Sequence, residues 1–275
     1  MLNTNIGDGG MKISLIGAGN VAWHLGLALE NAGHSVIEVF SRDMKKAKYL
    51  TSFLYNAKAQ NELDFSESDA DLFILSVSDN AIPEVCSKLV LPENAILAHT
   101  SGTKSLNDLV ELMELNHDLP VECAVFYPLM TFTMGVRLDI QTVPFCIESY
   151  NPEVREMLVK LGQQMSKTVY LVSSEERKVL HLGAVFACNF TNHLIGLSKH
   201  ILDRENLDYD LLKPIIRETI RKALGVEHPA DVQTGPAVRG DTSTIKRHLG
   251  YLSADEDLYR VYKTLTHSIQ EWHEE

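Results

Sequence analysis

The sequence predicts an α/β fold of the Rossmann-like, doubly wound type, with a mostly parallel sheet, followed by an all-α C-terminal domain. Three observations carry this. The short apolar run Lys12-Ile13-Ser14-Leu15-Ile16 ends in the turn Gly17-Ala18-Gly19-Asn20-Val21-Ala22 and passes straight into a helical pattern. Strand-like and helix-like segments then alternate as far as Val172, and no strand pattern follows. Alternation of this kind builds a parallel sheet with helices on its faces, and a helical run after it forms a separate layer. The expected division is a loose leader over residues 1–10, a dinucleotide-binding Rossmann domain over 11–172 and an all-α substrate and dimerisation domain over 173–275.

Each element has its own signal. Residues 20–32 carry apolar side chains at helical spacing and stop at Gly33, a C-terminal cap. Residues 35–40 form the second strand, completing a βαβ opening within about 30 residues. A helix is expected over 44–56, buried strands over 71–77 and 94–98 with a helix near 80–89 between them, and another helix over 105–115. Strands over 121–126 and 143–148 precede a helix over 152–165, in which Asn151 is the N-cap and Pro152 the first helical residue. The last strand is 168–172. Ser173 with Glu176 makes a capping box that opens a long helix over 175–203. A second helix spans 208–224, with Pro214 at a kink or in the first turn. Asp241 caps a helix ending near Leu252, and Ser253 with Glu256 opens a last helix to 272.

Composition limits the function classes. The 275 residues are 45% hydrophobic and 23% charged, enough apolar matter for a sizeable core. A net charge of −12 disfavours a phosphate backbone as partner, so no nucleic-acid binding is expected. No run approaches the ~18 apolar residues of a membrane span. The first ten residues lack the basic and apolar regions of a signal peptide. Cys86, Cys123, Cys146 and Cys188 sit in apolar flanks without a C-x-x-C pair, as buried thiols in a reducing compartment do. The expected location is the cytoplasm.

The turn carries the binding signal. Gly17 permits the tight bend, Gly19 lets a pyrophosphate approach the backbone, and Ala22 is small enough for helix and strand to pack. The helix N-terminus at Asn20 and Val21 offers free N–H groups and positive dipole to phosphates. The second strand ends in Phe40-Ser41-Arg42. Ser41 stands where an NAD-binding protein usually has a carboxylate, and Arg42 can clamp a 2′-phosphate. Lys45 and Lys46 add charge, whereas Asp43 suits either a ribose or a neighbouring lysine. NADP(H) is therefore the expected cofactor, ahead of NAD(H). Ligands in such folds lie across the carboxyl ends of strands, so the loops Ser76-Val77-Ser78 and His99-Thr100-Ser101-Gly102 are expected in the cleft.

Two segments suggest chemistry. His181, Val185, Asn189 and Asn192 or His193 follow helical spacing and are expected on one face of the long helix. The segment from Thr234 to Asp241 breaks the helical pattern and brings Arg239, Asp241 and a helix N-terminus together, with His248 two turns on. Metalloprotease, serine-hydrolase and phosphate-loop motifs are missing from the sequence.

At these residues the chain resembles the superfamily of pyrroline-5-carboxylate reductase, 6-phosphogluconate dehydrogenase and other β-hydroxyacid dehydrogenases. It is most similar to a group of NADP oxidoreductases with a Rossmann-like domain and a helical domain of unknown function. The motifs are GAGNVA (17–22), HTSG (99–102), YPLMTF (127–132), HLGAVFACNFTNHL (181–194) and TGPAVRGDTSTIKRHL (234–249). The resemblance implies hydride transfer to a C=N or C=O carbon of a small, carboxylate-bearing substrate, and a homodimer built through the helices. Asn189 and His181 would orient the substrate, Arg239 would bind its carboxylate, and Asp241 or His248 would act in proton relay or support. The departures are informative. The lysine that β-hydroxyacid dehydrogenases carry before the helix asparagine is replaced by Ala184-Val185-Phe186, and Tyr127 stands where related sequences have histidine. The alternatives are a ketopantoate reductase-type activity and a non-catalytic NADP(H)-binding sensor or scaffold.

Overall fold

The computed structural model describes residues 10–274. The leader expected over residues 1–10 lies, apart from Gly10, outside them. The described residues form one eight-stranded sheet: β1 (Lys12–Ile16), β2 (Ser35–Phe40), β3 (Lys58–Gln60), β4 (Leu72–Leu75), β5 (Ile96–His99), β6 (Glu122–Pro128), β7 (Phe145–Ser149) and β8 (Val169–Leu171). Their order is β3-β2-β1-β4-β5-β6-β7-β8. All neighbours pair in parallel except β6 and β7. The antiparallel pair has a simple cause. The connection from Pro128 to Phe145 contains only a short 3₁₀ turn, and without a crossover helix the chain returns in the opposite direction. The strand β3 was not expected from the sequence. Its residues Lys-Ala-Gln have no apolar run, and it exists by pairing with Glu38, Val39 and Phe40.

Helices cover both sheet faces. On one side α1 (Asn20–Asn31), α2 (Met44–Thr51) and α5 (Pro152–Met165) supply Leu25, Leu29, Leu50, Leu158 and Leu161, all completely buried against Ile13, Leu15 and Ile74. On the other, α3 (Ile82–Cys86) and α4 (Leu106–Asn116) supply Val85, Leu109 and Met113 against Phe73, Leu75 and Leu97. Burial of these side chains contributes roughly 1.5–3 kcal/mol each. Three of the four cysteines are buried, but Cys188 is exposed, contrary to its apolar flank.

The helical remainder starts with α6 (Ser174–Ala184), capped by Ser173 and Glu176 as expected. The anticipated single helix is broken by a π turn at Val185–Phe190 before α7 (Thr191–Arg204) continues. The π turn interrupts the 3.6-residue register on which the shared face of His181 and Asn189 rests. Next come α8 (Lys213–Ala223), with Pro214 in its first turn, α9 (Thr242–Tyr251) and α10 (Glu256–Glu274). The cap of α10 is not Ser253, whose hydroxyl donates to the Gly250 carbonyl. Asp255 accepts from the Leu258 N–H instead. No helix among the described residues is long and apolar enough to cross a membrane.

The chain separates into two compact units after Cys188, whereas the change from mixed to helical pattern falls at Val172. Helix α6 stays with the sheet because of a buried ion pair. Arg177 is 0% exposed, and its Nη1 donates to Glu148 Oε2 at 2.5 Å while its Nη2 donates to the Lys104 carbonyl. Ser174 donates to the same carboxylate and accepts from the Leu106 N–H. One carboxylate at the end of β7 thus joins α6 to α4. Glu148→Leu should cost ~3–5 kcal/mol, because it leaves a buried guanidinium without its anion. Thermal and urea unfolding of the full chain checks this. The double change Glu148→Leu/Arg177→Met should recover most of the loss, and a single-variant loss below ~1 kcal/mol would contradict the account.

Candidate dinucleotide site

The glycine turn sits where the strand order reverses, since β1 has β2 on one side and β4 on the other. Open α/β folds bind ligands at such a switch point. Gly17 has φ +129°, and a Cβ there would stand 2.3 Å from the Ser76 carbonyl oxygen. Only glycine fits that conformation and that approach. The turn is held on both sides, by Gly17 N–H to Phe40 O (2.9 Å) and Ser76 N–H to Ile16 O (2.8 Å).

Gly19 differs. It is the N-cap of α1, and no atom lies within 4 Å of the position its Cβ would take. Helices α4, α5 and α6 are capped by the side chains of Ser105, Asn151 and Ser173, but no side chain caps α1, and its first turn has no acidic residue. Unpaired N–H groups facing open space at a helix N-terminus suit an anion. Asn20 Oδ1 accepts from the Met134 N–H at 3.1 Å, so its side chain fastens the connection between β6 and β7, while Val21 continues the helix.

A cavity of about 210 Å³ lies over the turn. It is lined by Gly17, Ala18, Gly19, Phe40, Ser41, Arg42, Lys46, Ser76, Val77 and Ser78, with Ala81 and Val85. Eight residues expected to bind cofactor therefore meet in one place, joined by Lys46. Asp43 is not among them. Its Oδ1 accepts from the Lys45 N–H at 3.0 Å and caps α2, so of the segment Ser41-Arg42-Asp43 only Ser41 and Arg42 line the cavity.

The loop from His99 to Gly102 takes a different place and does not line that cavity. His99 is 1% exposed, and its Nδ1 accepts from the Ser101 N–H at 3.1 Å. Burial, then the charge of Arg177, pushes its pKa down to about 4, so the ring is neutral with its proton on Nε2. Thr100 Oγ1 approaches Ser76 Oγ at 3.5 Å, which ties this loop to the one after β4. At Gly102 a Cβ would meet His181 Nδ1 at 2.5 Å and Tyr127 Cζ at 2.9 Å. The loop is thus packed against a pair of polar rings. Tyr127 Oη lies 3.0 Å from His181 Nδ1. Burial pushes the Tyr127 pKa up to about 12, so the phenol keeps its proton at neutral pH.

Sequence reasoning found His181 but missed Tyr127 as its partner. A tyrosine near the carboxyl end of an otherwise apolar strand was the available signal. The 54-residue separation of the pair hid the contact.

In the second unit Asp241 caps α9, accepting from the Thr244 N–H (3.0 Å) and from the hydroxyls of Thr244 (2.7 Å) and Ser243 (3.0 Å). These bonds, with the nearby charge of Arg239, bring its pKa to about 2. Both carboxylate oxygens are thus engaged in the cap of α9. His248 Nδ1 lies 2.8 Å from Tyr262 Oη. Arg239 is exposed, as is Asn189 within the π turn.

The two glycines make opposite predictions. Gly17→Ala should lower stability, since the new carbon meets a carbonyl. Gly19→Ala should leave the melting temperature unchanged yet weaken NADP+ binding at least about tenfold, because the methyl group occupies only ligand space. Calorimetry and thermal unfolding check both, and unchanged NADP+ affinity in Gly19→Ala would contradict the assignment of the turn.

Two family models match the chain: a Rossmann-like domain over residues 2–120 and a domain of unknown function, DUF2520, over residues 143–269. No curated protein matches the sequence. Among solved structures, a Bacteroides fragilis protein bearing the name putative NADP oxidoreductase is 37% identical, with 95% of this chain and 98% of that chain covered and a TM-score of 0.84. A Thermotoga maritima protein is 22% identical over 95% and 98% of the two chains, with a TM-score of 0.65. The pyrroline-5-carboxylate reductase of Streptococcus pyogenes is 14% identical over 96% and 100%, with a TM-score of 0.61, a likeness of fold. The chain belongs to the family of the Bacteroides fragilis protein, in which a Rossmann-like domain precedes a C-terminal domain of unknown function.

Proposed function

We propose that this chain is an NADP(H)-dependent oxidoreductase that reduces the C=N or C=O group of a small, carboxylate-bearing metabolite. The observation that carries the reading is the uncapped Gly17–Gly19 turn opening into a cavity that also holds Arg42 and Lys46. The turn fits a pyrophosphate, and two cations beside Ser41 fit a 2′-phosphate better than a ribose hydroxyl. The name carried by the Bacteroides fragilis relative supports the same class.

NADPH, when bound, supplies the hydride. The chain must supply the proton, and the pair of Tyr127 and His181 suits that task. Tyr127 holds its proton at neutral pH, and His181 Nδ1 lies at hydrogen-bonding distance from its oxygen. As the proton leaves Tyr127 for the substrate nitrogen or oxygen, the phenolate keeps its contact with His181 Nδ1 and regains its proton from water along that contact. In this reading the pair takes the place of the missing lysine. The resemblance assigns substrate orientation to Asn189 and carboxylate binding to Arg239, and Arg239 makes no salt bridge among the described residues.

NADPH oxidation against a panel of cyclic imines and 2-keto acids tests the proposal. Turnover of at least one member is expected, and Tyr127→Phe should lower kcat at least about 100-fold with NADPH affinity unchanged. Tight NADPH binding without any turnover would instead favour a non-catalytic nucleotide sensor.

The reading includes a homodimer through the helices. From Asn189 onward only Ala237, Leu252 and Leu258 among the described apolar residues are buried, while Leu211, Ile215 and Leu224 are exposed. So little core leaves apolar faces that a second copy would cover. Light scattering should give twice the 30.8 kDa chain mass, and a monomer mass would contradict this.

A further inference from the structure

The loop after β2, the first turn of α3 and the turn that follows α3 bring three charges together. Arg42 Nη1 lies 3.8 Å from Glu84 Oε2, and Lys88 Nζ lies 2.8 Å from Glu84 Oε1. Arg42 also lines two neighbouring cavities. The first is the one over the glycine turn, where its charged companion is Lys46. The second, about 340 Å³, shares Phe40, Arg42 and Val85 with the first and adds Glu62, Glu84 and Lys88. The guanidinium therefore stands in a wall with a cationic cavity on one side and carboxylates on the other. Its side chain is 72% exposed and free to turn either way. The hydrogen bond and charge of Lys88, then the charge of Arg42, hold the Glu84 carboxyl below its usual range, so it is ionised at neutral pH.

We propose that Glu84 competes with the 2′-phosphate of the cofactor for Arg42, and so sets how strongly the site prefers NADP(H) over NAD(H). The proposal rests on the reading of the turn as a dinucleotide site and of Arg42 as its 2′-phosphate clamp. NAD(H) presents a ribose hydroxyl and leaves the pair of Arg42 and Glu84 intact. NADP(H) draws the guanidinium away from Glu84 and gains the phosphate contact only net of that loss. An exposed pair of this kind is worth a factor of about two to five in an equilibrium. The pair thus moderates the NADP(H) preference without reversing it.

Calorimetric titration of the full chain with NADP+ and with NAD+ tests this in the wild type, Glu84→Gln, Arg42→Met and the double variant. Glu84→Gln should raise the ratio of NADP+ to NAD+ affinity about two- to fivefold, with NAD+ affinity unchanged as the control for folding. The gain should shrink between about 0.05 M and about 0.5 M salt as screening grows. It should vanish in the Arg42→Met background, because Glu84 acts through Arg42. A ratio that Glu84→Gln leaves unchanged or lowers would overturn the proposal, as would a gain that persists in full without Arg42. If the wild type binds neither nucleotide, the dinucleotide reading itself fails. If it binds NADP+ and Arg42→Met loses nothing, the clamp fails while the turn stands.

Discussion

The close approach of Gly17 to the carbonyl of Ser76 is the constraint on which the site depends. With a Cβ position only 2.3 Å from that oxygen, the end of β1 can turn over the end of β4 only if residue 17 has no side chain. That turn points the first N–H groups of α1 outward beside Ser76 to Ser78. The hydrogen bond from Gly17 to Phe40 draws in the end of β2 and with it Ser41 and Arg42. Three strand ends thus converge on one cavity because one backbone crossing is tight. The loop after β5 joins them through Thr100 and Ser76, and carries Gly102 to the rings of Tyr127 and His181.

Stability and chemistry are separated in this chain. The ion pair of Arg177 with Glu148 fixes α6 to the sheet, and the Arg177 charge adds to burial in keeping His99 neutral. The same helix carries His181 one turn beyond Arg177, so a structural anchor also positions a polar ring. Asp241 shows the same economy in the second unit. Its carboxylate is committed to capping α9, which leaves Arg239 as the group on that segment able to meet an anion.

Much of this was legible from residues alone. The βαβ opening, the glycine turn and the caps at Asn151, Ser173 and Asp241 follow from local rules, and each is present. What was not legible depends on contacts distant in sequence. β3 has no apolar pattern and is defined by its partner. The reversal of β7 follows from what the preceding loop lacks. His99 reads as a cleft residue because it ends a strand, yet the structure buries it. The π turn at Val185–Phe190 has no sequence rule that announces it, and it breaks the helical register on which the face containing Asn189 was reasoned. The partnership of Tyr127 with His181 needs the fold to exist before it can be seen.

In the function proposed for this chain, the Gly17–Gly19 turn seats a dinucleotide pyrophosphate with Arg42 on its 2′-phosphate. A crystal structure of the protein with NADP+ tests this most directly. The pyrophosphate should lie on the backbone N–H groups at the start of α1, with the Arg42 guanidinium turned from Glu84 to the 2′-phosphate. A nucleotide bound elsewhere, or one seated on the turn with Arg42 still against Glu84, would contradict it.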